Sequence, residues 1–427
     1  MYITLMIGLI DCNNFFVSCE RVFNPALINK PVVILSNNDG CAVSISNEAK
    51  ALGIKRGAPY FQIKDIAEKN HVYILSGNIK LYGDMSSRVM ATLSSIIPNI
   101  EIYSIDEAFI DFSGINTESL NLVGAKIVSK IFRDTGIPTS LGIASTKTLA
   151  KIASKFAKKF RGYNGVCCIN TESQRITALK LSMISDVWGI GRNLAQKMLS
   201  KGINTAADFA QLPLERVRNI VNVTGERTWR ELNGESCINI ETIEPEKKQI
   251  CTSRSFASPI YEFDLLVNAI SSFASTASRK LREQSWRAVS LTVFIHTDSY
   301  NNDIAQYCNS AHITLEEPTN DTLTITSKAV ETLKKIYRSN YCYKKAGIII
   351  TEIVDQNSVQ QVLFIPPEDR SKRNRLMKAM ESINQNDSTY NMVHTASCDP
   401  EMRLSRKGFN SQQYTTRLSD IITIRCK

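Results

Sequence analysis

The chain has 427 residues, of which 43% are hydrophobic and 22% are charged, a composition typical of soluble globular proteins. This length corresponds to about three domains, and no apolar run approaches the roughly 20 residues of a membrane span. Lys and Arg number 51 against 41 Asp and Glu, a formal net charge of +10. Composition and the lack of a long apolar run exclude membrane-embedded and fibrous proteins. The net charge points to an anionic partner such as nucleic acid, although many basic proteins bind none.

Cysteine and histidine do not form a recognisable site. The eleven cysteines include no Cys-x-x-Cys pair, and the four histidines are isolated in the sequence, so neither a zinc site nor a disulfide framework is indicated. We expect reduced cysteines in a cytosolic protein. The apolar N-terminus runs directly into Asp11 without a basic segment, which predicts a first strand rather than a secretory signal.

Strands and helices alternate through the first 160 residues. In chain order, the pattern predicts a strand over 4–10, a helix over 15–22, a strand over 31–35, helices over 46–52 and 80–96, a strand over 101–106, a helix over 118–134, a strand over 139–143 and a basic helix over 146–160. This alternation indicates an α/β domain with a mixed sheet.

The pattern changes after the basic helix. Residues 182–234 read as short helices separated by glycines, and the polar stretch 241–248 reads as a linker. Further elements are then predicted as a strand over 249–256, a helix over 263–284, strands over 288–296 and 308–315, a helix over 322–338 and a strand over 346–354. The β-α-β-β-α-β order is that of a ferredoxin-like unit, and we expect the polar remainder, 357–427, to be a partly ordered tail.

Three acidic residues interrupt apolar strands. Asp11 ends the first strand, and Asp106 and Glu107 lie within the apolar stretch 103–112. Ionised carboxylates in such surroundings need a metal or a cationic partner. Neighbouring strand residues face opposite sides, so Asp106 and Glu107 can share a site only where the backbone bends. Metal binding and ion pairing at the sheet edge both remain open from the spacing alone.

Polar and basic residues on two helices are candidates for phosphate binding. Ser44, Asn47 and Lys50 fall on or near the first turns of the 46–52 helix, where free N–H groups attract anions. Lys151 lies on the basic helix, within a region (124–175) that holds ten basic and two acidic residues. A solvated basic face is the alternative for that helix.

Two further motifs indicate macromolecular contacts. Gly189 and Gly191 precede Arg192 in a Gly-x-Gly hairpin that can present backbone N–H groups to a DNA phosphate, although a plain helix–helix turn has the same pattern. Gln360, with Leu363 and Phe364, suits docking into an apolar groove of a partner; extension of the preceding strand is the alternative.

Taken together, these motifs resemble the Y-family DNA polymerases, and within them the UmuC branch of DNA polymerase V catalytic subunits. The resemblance rests on residues 11–20 (DCNNFFVSCE), 36–41 (SNNDGC), 48–53 (EAKALG), 103–109 (YSIDEAF), 146–151 (TKTLAK), 187–191 (VWGIG), 251–256 (CTSRSF), 343–347 (YKKAG) and 414–417 (YTTR). It runs from residue 7 to the end, and several separate motifs occur in the family's order.

The resemblance implies a role for each matched residue. Asp11, Asp106 and Glu107 match the metal-binding carboxylates, which with the Cys12 carbonyl would hold two Mg²⁺ ions, and Glu107 matches the acid often assigned as catalytic. Phe16 occupies the steric-gate position, where many relatives have Tyr. Ser44, Asn47, Lys50 and Lys151 match positions that contact the triphosphate, but other members have Tyr and Arg where this chain has Asn47 and Lys50, and Lys lacks the bidentate fork of Arg.

The resemblance also implies a right-hand polymerase, an α/β and α+β multidomain fold. A palm over 1–170 would contain the fingers at about 18–84, and a small helical thumb with a helix-hairpin-helix would cover 171–240. The linker 241–248 would lead to a ferredoxin-like little finger over 249–356. The tail 357–427 would carry the clamp-binding motif Gln360, Leu363 and Phe364 and the UmuC-type tail.

The implied activity is error-prone DNA synthesis past lesions in the SOS response, in the bacterial cytoplasm at the nucleoid. The substrates would be primer-template DNA and a dNTP, and the partners a sliding clamp, a UmuD′ dimer and a RecA filament, with no membrane. A stand-alone DinB-like polymerase, a non-catalytic DNA-binding scaffold and a nucleotidyl cyclase are the alternatives, although the intact carboxylate trio argues against a scaffold and the thumb hairpin against a cyclase.

Overall fold

The computed structural model describes residues 6–243, 246–357, 367–386, 393 and 407–422. The chain forms two compact units. The first comprises Met1–Leu35, Cys41–Glu244 and Asn410–Lys427, and the second comprises Ser36–Gly40 and Pro245–Phe409.

The first unit contains two sheets. Its strands are β1 (Ile7–Cys12), β2 (Val32–Leu35), β3 (Ala42–Ile45), β4 (Tyr73–Ser76), β5 (Ile100–Ile102), β6 (Glu107–Asp111), β7 (Thr139–Ala144) and β8 (Val166–Ile169). The larger sheet has the order β5-β6-β1-β7-β8. Strand β1 is antiparallel to both β6 and β7, whereas β7 and β8 are parallel. The predicted mixed sheet is confirmed.

Helices surround these sheets and form most of the rest of the unit. They are α1 (Phe15–Phe23), α2 (Asn47–Ala51), α3 (Tyr60–Lys69), α4 (Ile79–Ser94), α5 (Leu120–Thr135), α6 (Lys147–Lys159), α7 (Glu172–Leu181), α8 (Arg192–Leu199), α9 (Ala206–Ala210), α10 (Leu214–Ile220) and α11 (Val223–Leu232). The predicted helices appear as α1, α2, α4, α5 and α6, with ends shifted by one or two residues.

Both faces of the larger sheet are buried, which explains why β1 is apolar at successive positions. Ile10 and Cys12 belong to the core that includes α1, α4 and α5, whereas Ile7 and Leu9 belong to the core that includes α6 and the helices after it. Asp11 is therefore the polar end of a strand that is otherwise fully enclosed.

The predicted single strand over 101–106 is wrong, because this segment is a hairpin. Strand β5 ends at Ile102 and β6 begins at Glu107. The N–H groups of Tyr103 and Ser104 donate to the Glu107 carbonyl at 3.1 and 3.0 Å, and the Ser104 hydroxyl accepts from the Asp106 N–H at 3.2 Å. These bonds replace ladder pairing over four residues and supply the bend that the acidic pair requires.

The second sheet has the order β3-β2-β4, with β2 antiparallel to β3 and parallel to β4. Its core joins Val33 and Leu35 of β2 to Ile63 and Ala67 of α3. Strands β3 and β4 were not predicted, because each has four residues and carries too little periodicity. Helix α3 was not predicted either.

A buried glutamate joins helix α11 to the start of α6. Glu231, fully buried, accepts from the backbone N–H groups of Thr148 and Cys237 at 2.9 Å each, and the Thr146 hydroxyl donates to the Glu231 carbonyl at 2.9 Å. The short helices are thereby fixed to the sheet through α6.

The second unit is a four-stranded sheet with helices on it. It contains β9 (Ile250–Ile260), α12 (Phe263–Glu283), β10 (Trp286–His296), β11 (Cys308–Thr319), α13 (Thr322–Ile336), β12 (Tyr343–Asp355) and α14 (Pro367–Asn386). The sheet order is β11-β10-β12-β9, antiparallel throughout. The predicted β-α-β-β-α-β succession is confirmed.

Helix α14 lies in the segment predicted to be a partly ordered tail. It is anchored by Met377, which is 3% exposed, and by an ion pair between Arg282 and Glu381 at 2.6 Å. Its other residues are mostly polar, so no apolar periodicity marked it. Gln360, Leu363 and Phe364 lie outside the described residues. In the part of the chain that the structure describes, no helix is long and apolar enough to cross a membrane.

Candidate active site

A cavity of about 190 Å³ lies in the first unit where β1 ends beside the β5–β6 turn. Three acidic and three basic side chains line it, together with two phenylalanines. The full lining is Asp11, Cys12, Asn14, Phe15, Phe16, Val43, Ser44, Ile45, Lys50, Arg56, Asp106, Glu107 and Lys158.

The sheet register brings the three acidic residues together. Asp11 of β1 stands directly opposite Glu107 of β6. The Asp106 carbonyl accepts from the Cys12 N–H at 2.8 Å, which ties the turn to the end of β1. Asp106 and Glu107 can face one cavity because the chain leaves the turn and enters the strand between them. The structure therefore places all three predicted carboxylates in one wall.

Each carboxylate has a separate polar partner. Lys158 pairs with Asp11 at 2.8 Å and Lys151 with Glu107 at 2.8 Å, while the Ser104 hydroxyl donates to Asp106 at 2.6 Å. Within the described ranges no three acidic, His or Cys side chains are grouped closely enough to hold a metal ion. The donor set nevertheless fits a hard divalent cation, since carboxylate oxygens are what Mg²⁺ prefers, and a bound cation would replace the lysines as partner.

The three cations line the same cavity as the acids. Lys50 donates to the Asn14 and Asn47 side-chain oxygens at 2.8 and 3.3 Å. Burial lowers the pKa of Lys50, and the positive charges of Lys158 and Arg56 lower it further. Of these three positive groups, Lys158 alone forms an ion pair with an acidic residue within the described ranges. Their excess positive charge favours binding of a highly charged anion in the cavity.

Sequence reasoning missed Arg56 and Lys158 as cavity residues. Arg56 is exposed and, among the described residues, makes no hydrogen bond or ion pair; an arginine in a turn carries no signal of such a place. Lys158 follows Lys151 by seven residues, a spacing that puts both on one face of α6, and this signal was available.

Lys151, which we expect to contact the triphosphate, is not among the residues that line the cavity and lies beside the aromatic cluster formed by Tyr103, Phe109 and Trp188. Its ammonium stands 4.5 Å from the Tyr103 ring centre and 5.5 Å from that of Trp188, in addition to its bond with Glu107. Lys151 is therefore a partner of Glu107, and Lys158 is the α6 lysine that lines the cavity. Of the other predicted anion ligands, Ser44 and Lys50 line it, whereas Asn47 is not in the lining and accepts a hydrogen bond from Lys50.

Phe16 forms part of the cavity wall and is held from behind. Its ring stacks on Tyr82 of α4, with ring centres 4.3 Å apart and planes at 12°. Tyr82 is itself fully buried. An aromatic ring thus stands at a fixed place beside the acidic wall.

The Gly-x-Gly hairpin leads into α8. Gly189 adopts φ +86°, and a Cβ there would meet the Thr228 hydroxyl at 2.7 Å, so glycine is required. Nothing lies within 4 Å of a Cβ on Gly191, and Arg192 is exposed at the first turn of α8. The backbone at this helix start is open to a ligand.

Comparison with family models gives two matches. The impB/mucB/samB family matches residues 10–155, and the impB/mucB/samB family C-terminal domain matches residues 247–363. Protein UmuC of Salmonella typhimurium is 38% identical over 422 residues, covering 98% of this chain and 100% of the relative. Protein ImpB of Salmonella typhimurium is 38% identical over 419 residues, covering 97% of this chain and 99% of the relative.

Solved structures agree on the fold. A Y-family DNA polymerase chimera of Dbh and Dpo4 has a TM-score of 0.68 at 20% identity, covering 82% of this chain and 99% of that one. The insertion ternary complex of Dbh DNA polymerase has a TM-score of 0.54 with the same coverage at 21% identity. Given these similarities, the chain belongs to the impB/mucB/samB family, the UmuC branch of the Y-family DNA polymerases, which are metal-dependent, error-prone enzymes that copy damaged DNA.

Proposed function

We propose that the cavity at the end of β1 is the nucleotidyl-transfer site of this translesion polymerase. The observation that carries the proposal is the meeting of three carboxylates and three cations around one cavity. Such a site suits both charged components of nucleotidyl transfer. Divalent cations bind carboxylate oxygens, and the triphosphate of a nucleotide binds positively charged side chains.

Asp11, Asp106 and Glu107, with the Cys12 carbonyl, are the residues that would hold two Mg²⁺ ions. When bound there, the ions would activate the primer 3′-hydroxyl and neutralise charge on the leaving pyrophosphate. In the displacement the 3′-oxygen bonds to the α-phosphorus while the bond from that phosphorus to the pyrophosphate oxygen breaks. Lys151 would orient the Glu107 carboxylate through their 2.8 Å ion pair.

Lys50, Arg56 and Lys158 would hold the triphosphate, with Ser44 as a further hydrogen-bond donor. All four line the cavity, and Lys158 pairs with Asp11. Asn47 contributes by holding Lys50 in place. Lys158 would exchange its partner, leaving Asp11 for the triphosphate when substrate and metal bind.

Phe16 would act as the steric gate beneath the sugar. Its stacking on Tyr82 leaves it little freedom to yield to a 2′-hydroxyl. We expect Phe16→Ala to admit ribonucleotides, because the truncated side chain opens the space below C2′. Single-nucleotide insertion of dCTP and CTP by the same variant measures this, and unchanged sugar discrimination would refute the gate.

The domain names follow from the same function. Residues 1–170 would form the palm with the fingers at about 18–84, and 171–240 the thumb, whose Gly189, Gly191 and Arg192 would contact a DNA phosphate at the start of α8. After the linker 241–248, residues 249–356 would form the little finger. The open backbone at Gly191 supports the DNA contact, since a bulkier surrounding would keep phosphates away.

The UmuC relationship implies a UmuD′ dimer as partner, and we extend this to a RecA filament and a sliding clamp in the SOS response at the bacterial nucleoid, in the cytoplasm. The clamp would bind Gln360, Leu363 and Phe364. Primer extension across an abasic site by the purified chain, with and without UmuD′ and RecA, tests the assignment. Full activity of the chain alone would favour a DinB-like stand-alone enzyme, and none in any mixture would favour a scaffold.

A further inference from the structure

Residues 410–417, called here the tail segment, belong to the first unit and pack on its helix α1 and on the start of α4. Asn78 donates through its amide to the Ser411 hydroxyl and to the Gln412 carbonyl, both at 3.0 Å. The Tyr414 ring stacks on Phe23 of α1, with ring centres 5.0 Å apart and planes at 6°. Residues distant in sequence are thus bound to α1 and to the start of α4.

The tail segment also reaches a buried carboxylate. Glu20 of α1 is 1% exposed, and its Oε1 accepts from the Ser411 hydroxyl at 2.9 Å and from the Tyr82 hydroxyl at 2.8 Å. Burial raises the pKa of Glu20, and these two hydrogen bonds oppose that rise. A buried carboxylate depends on each of its donors, so loss of the Ser411 hydroxyl leaves Tyr82 as the one side-chain donor to Glu20 among the residues that the structure describes.

Tyr82 connects this carboxylate to the cavity. The hydroxyl of Tyr82 bonds Glu20, while its ring is the surface on which Phe16 stacks. A continuous series of contacts therefore runs from Ser411 through Glu20 and Tyr82 to the wall of the cavity. Every member other than Phe16 lies outside the cavity lining.

We propose that the tail segment positions Phe16 and thereby sets how strictly the enzyme selects the sugar of the incoming nucleotide. This inference rests on the proposed gate function of Phe16. With the tail segment docked, Glu20 holds the Tyr82 hydroxyl and the Tyr82 ring is a fixed support. When the tail segment is undocked, Glu20 lacks the hydrogen bond from Ser411. The Tyr82 hydroxyl is then less firmly held by Glu20, and Phe16 loses the fixed ring on which it stacks. Ser411, Glu20 and Tyr82 are positioning residues in this scheme.

The test is sugar discrimination, the ratio of kcat/KM for dCTP to that for CTP, measured with the full-length chain and its partners. We expect Ser411→Ala to lower this ratio by about threefold or more, as for residues coupled through one hydrogen-bond network. Ser411→Thr keeps a hydroxyl and should restore the ratio. Tyr414→Ala, which removes the stacking on Phe23, should lower it as well.

Ser419→Ala is the matched control, because Ser419 is exposed and its hydroxyl bonds its neighbour Asp420. Combination with Phe16→Ala separates positioning from general damage. In the Phe16→Ala background, Ser411→Ala should not change the ratio further. If Ser411 had only a structural role, Ser411→Ala would lower insertion of dCTP and of CTP equally and leave the ratio unchanged in either background.

The outcomes distinguish the gate function of Phe16 from the effect of the tail segment on it. If Phe16→Ala leaves discrimination unchanged, the gate itself is refuted. If Phe16→Ala relaxes discrimination while Ser411→Ala and Tyr414→Ala match Ser419→Ala, the gate stands and the tail inference is overturned.

Discussion

Arg56 is the cavity cation whose removal should affect substrate binding most cleanly. It lines the cavity, is exposed and has no hydrogen bond or ion pair within the described ranges, so Arg56→Ala should leave the fold intact. A hydrogen bond to a charged group contributes about 1.5 to 3 kcal/mol, and exposure favours the lower end. Because about 1.4 kcal/mol corresponds to tenfold, we expect KM for the dNTP to rise about tenfold.

Steady-state single-nucleotide insertion measures this change. The kcat should stay within about twofold, since binding lost equally from ground state and transition state raises KM alone. Lys55→Ala is the matched control, because Lys55 is the exposed neighbour of Arg56 and does not belong to the cavity lining. An equal rise in KM for both variants would refute a specific contact and leave only a general electrostatic effect.

Two further predictions concern stability, measured by urea unfolding. Glu231→Gln should lower the free energy of unfolding by about 1 to 3 kcal/mol, because an amide N–H₂ would then face backbone N–H donors in a fully buried site; Glu235→Gln, at an exposed ion pair with Arg230, should change it little, and equal losses would contradict the buried anchor. Burial raises the pKa of Glu20 in the folded state, so its contribution to stability is full below the unfolded pKa of about 4.3 and is lost as pH rises through the folded pKa. Glu20→Gln should therefore flatten the loss of stability above pH 4.3, and an unaltered pH profile would show that Glu20 does not titrate in this way.

The strands and helices that could be predicted are those with strong local patterns. The apolar run of β1 and the helical spacing of apolar residues in α4, α12 and α13 predicted these elements correctly, because each packs a long apolar face against a core. The acidic pair indicated a bend, but the position of the β5–β6 turn could not be predicted, since Tyr103 and Ile105 continue the apolar pattern through it. Its bend depends on hydrogen bonds to Glu107 and Ser104 that periodicity does not encode.

The acidic half of the candidate site was accessible from sequence, because charged residues in apolar strands are conspicuous. The basic half was not fully accessible. Lys151 and Lys158 share one face of α6, and their different partners are decided by where β6 begins, at Glu107, and where β1 ends, beside Asp11. Docking of Ser411 on Glu20 joins residues 391 positions apart, and no local property of either segment indicates it.

The measurement that tests the central claim most directly is primer extension by Asp106→Asn beside Asp111→Asn. Both residues belong to the β5–β6 hairpin region, but Asp106 lines the cavity, whereas the Asp111 carboxylate accepts from the Ser113 N–H at 2.8 Å. We predict that Asp106→Asn abolishes extension, keeps affinity for primer-template DNA and unfolds at the wild-type urea concentration, while Asp111→Asn extends normally. Extension by Asp106→Asn at the wild-type rate would contradict the assignment of this cavity as the site of nucleotidyl transfer.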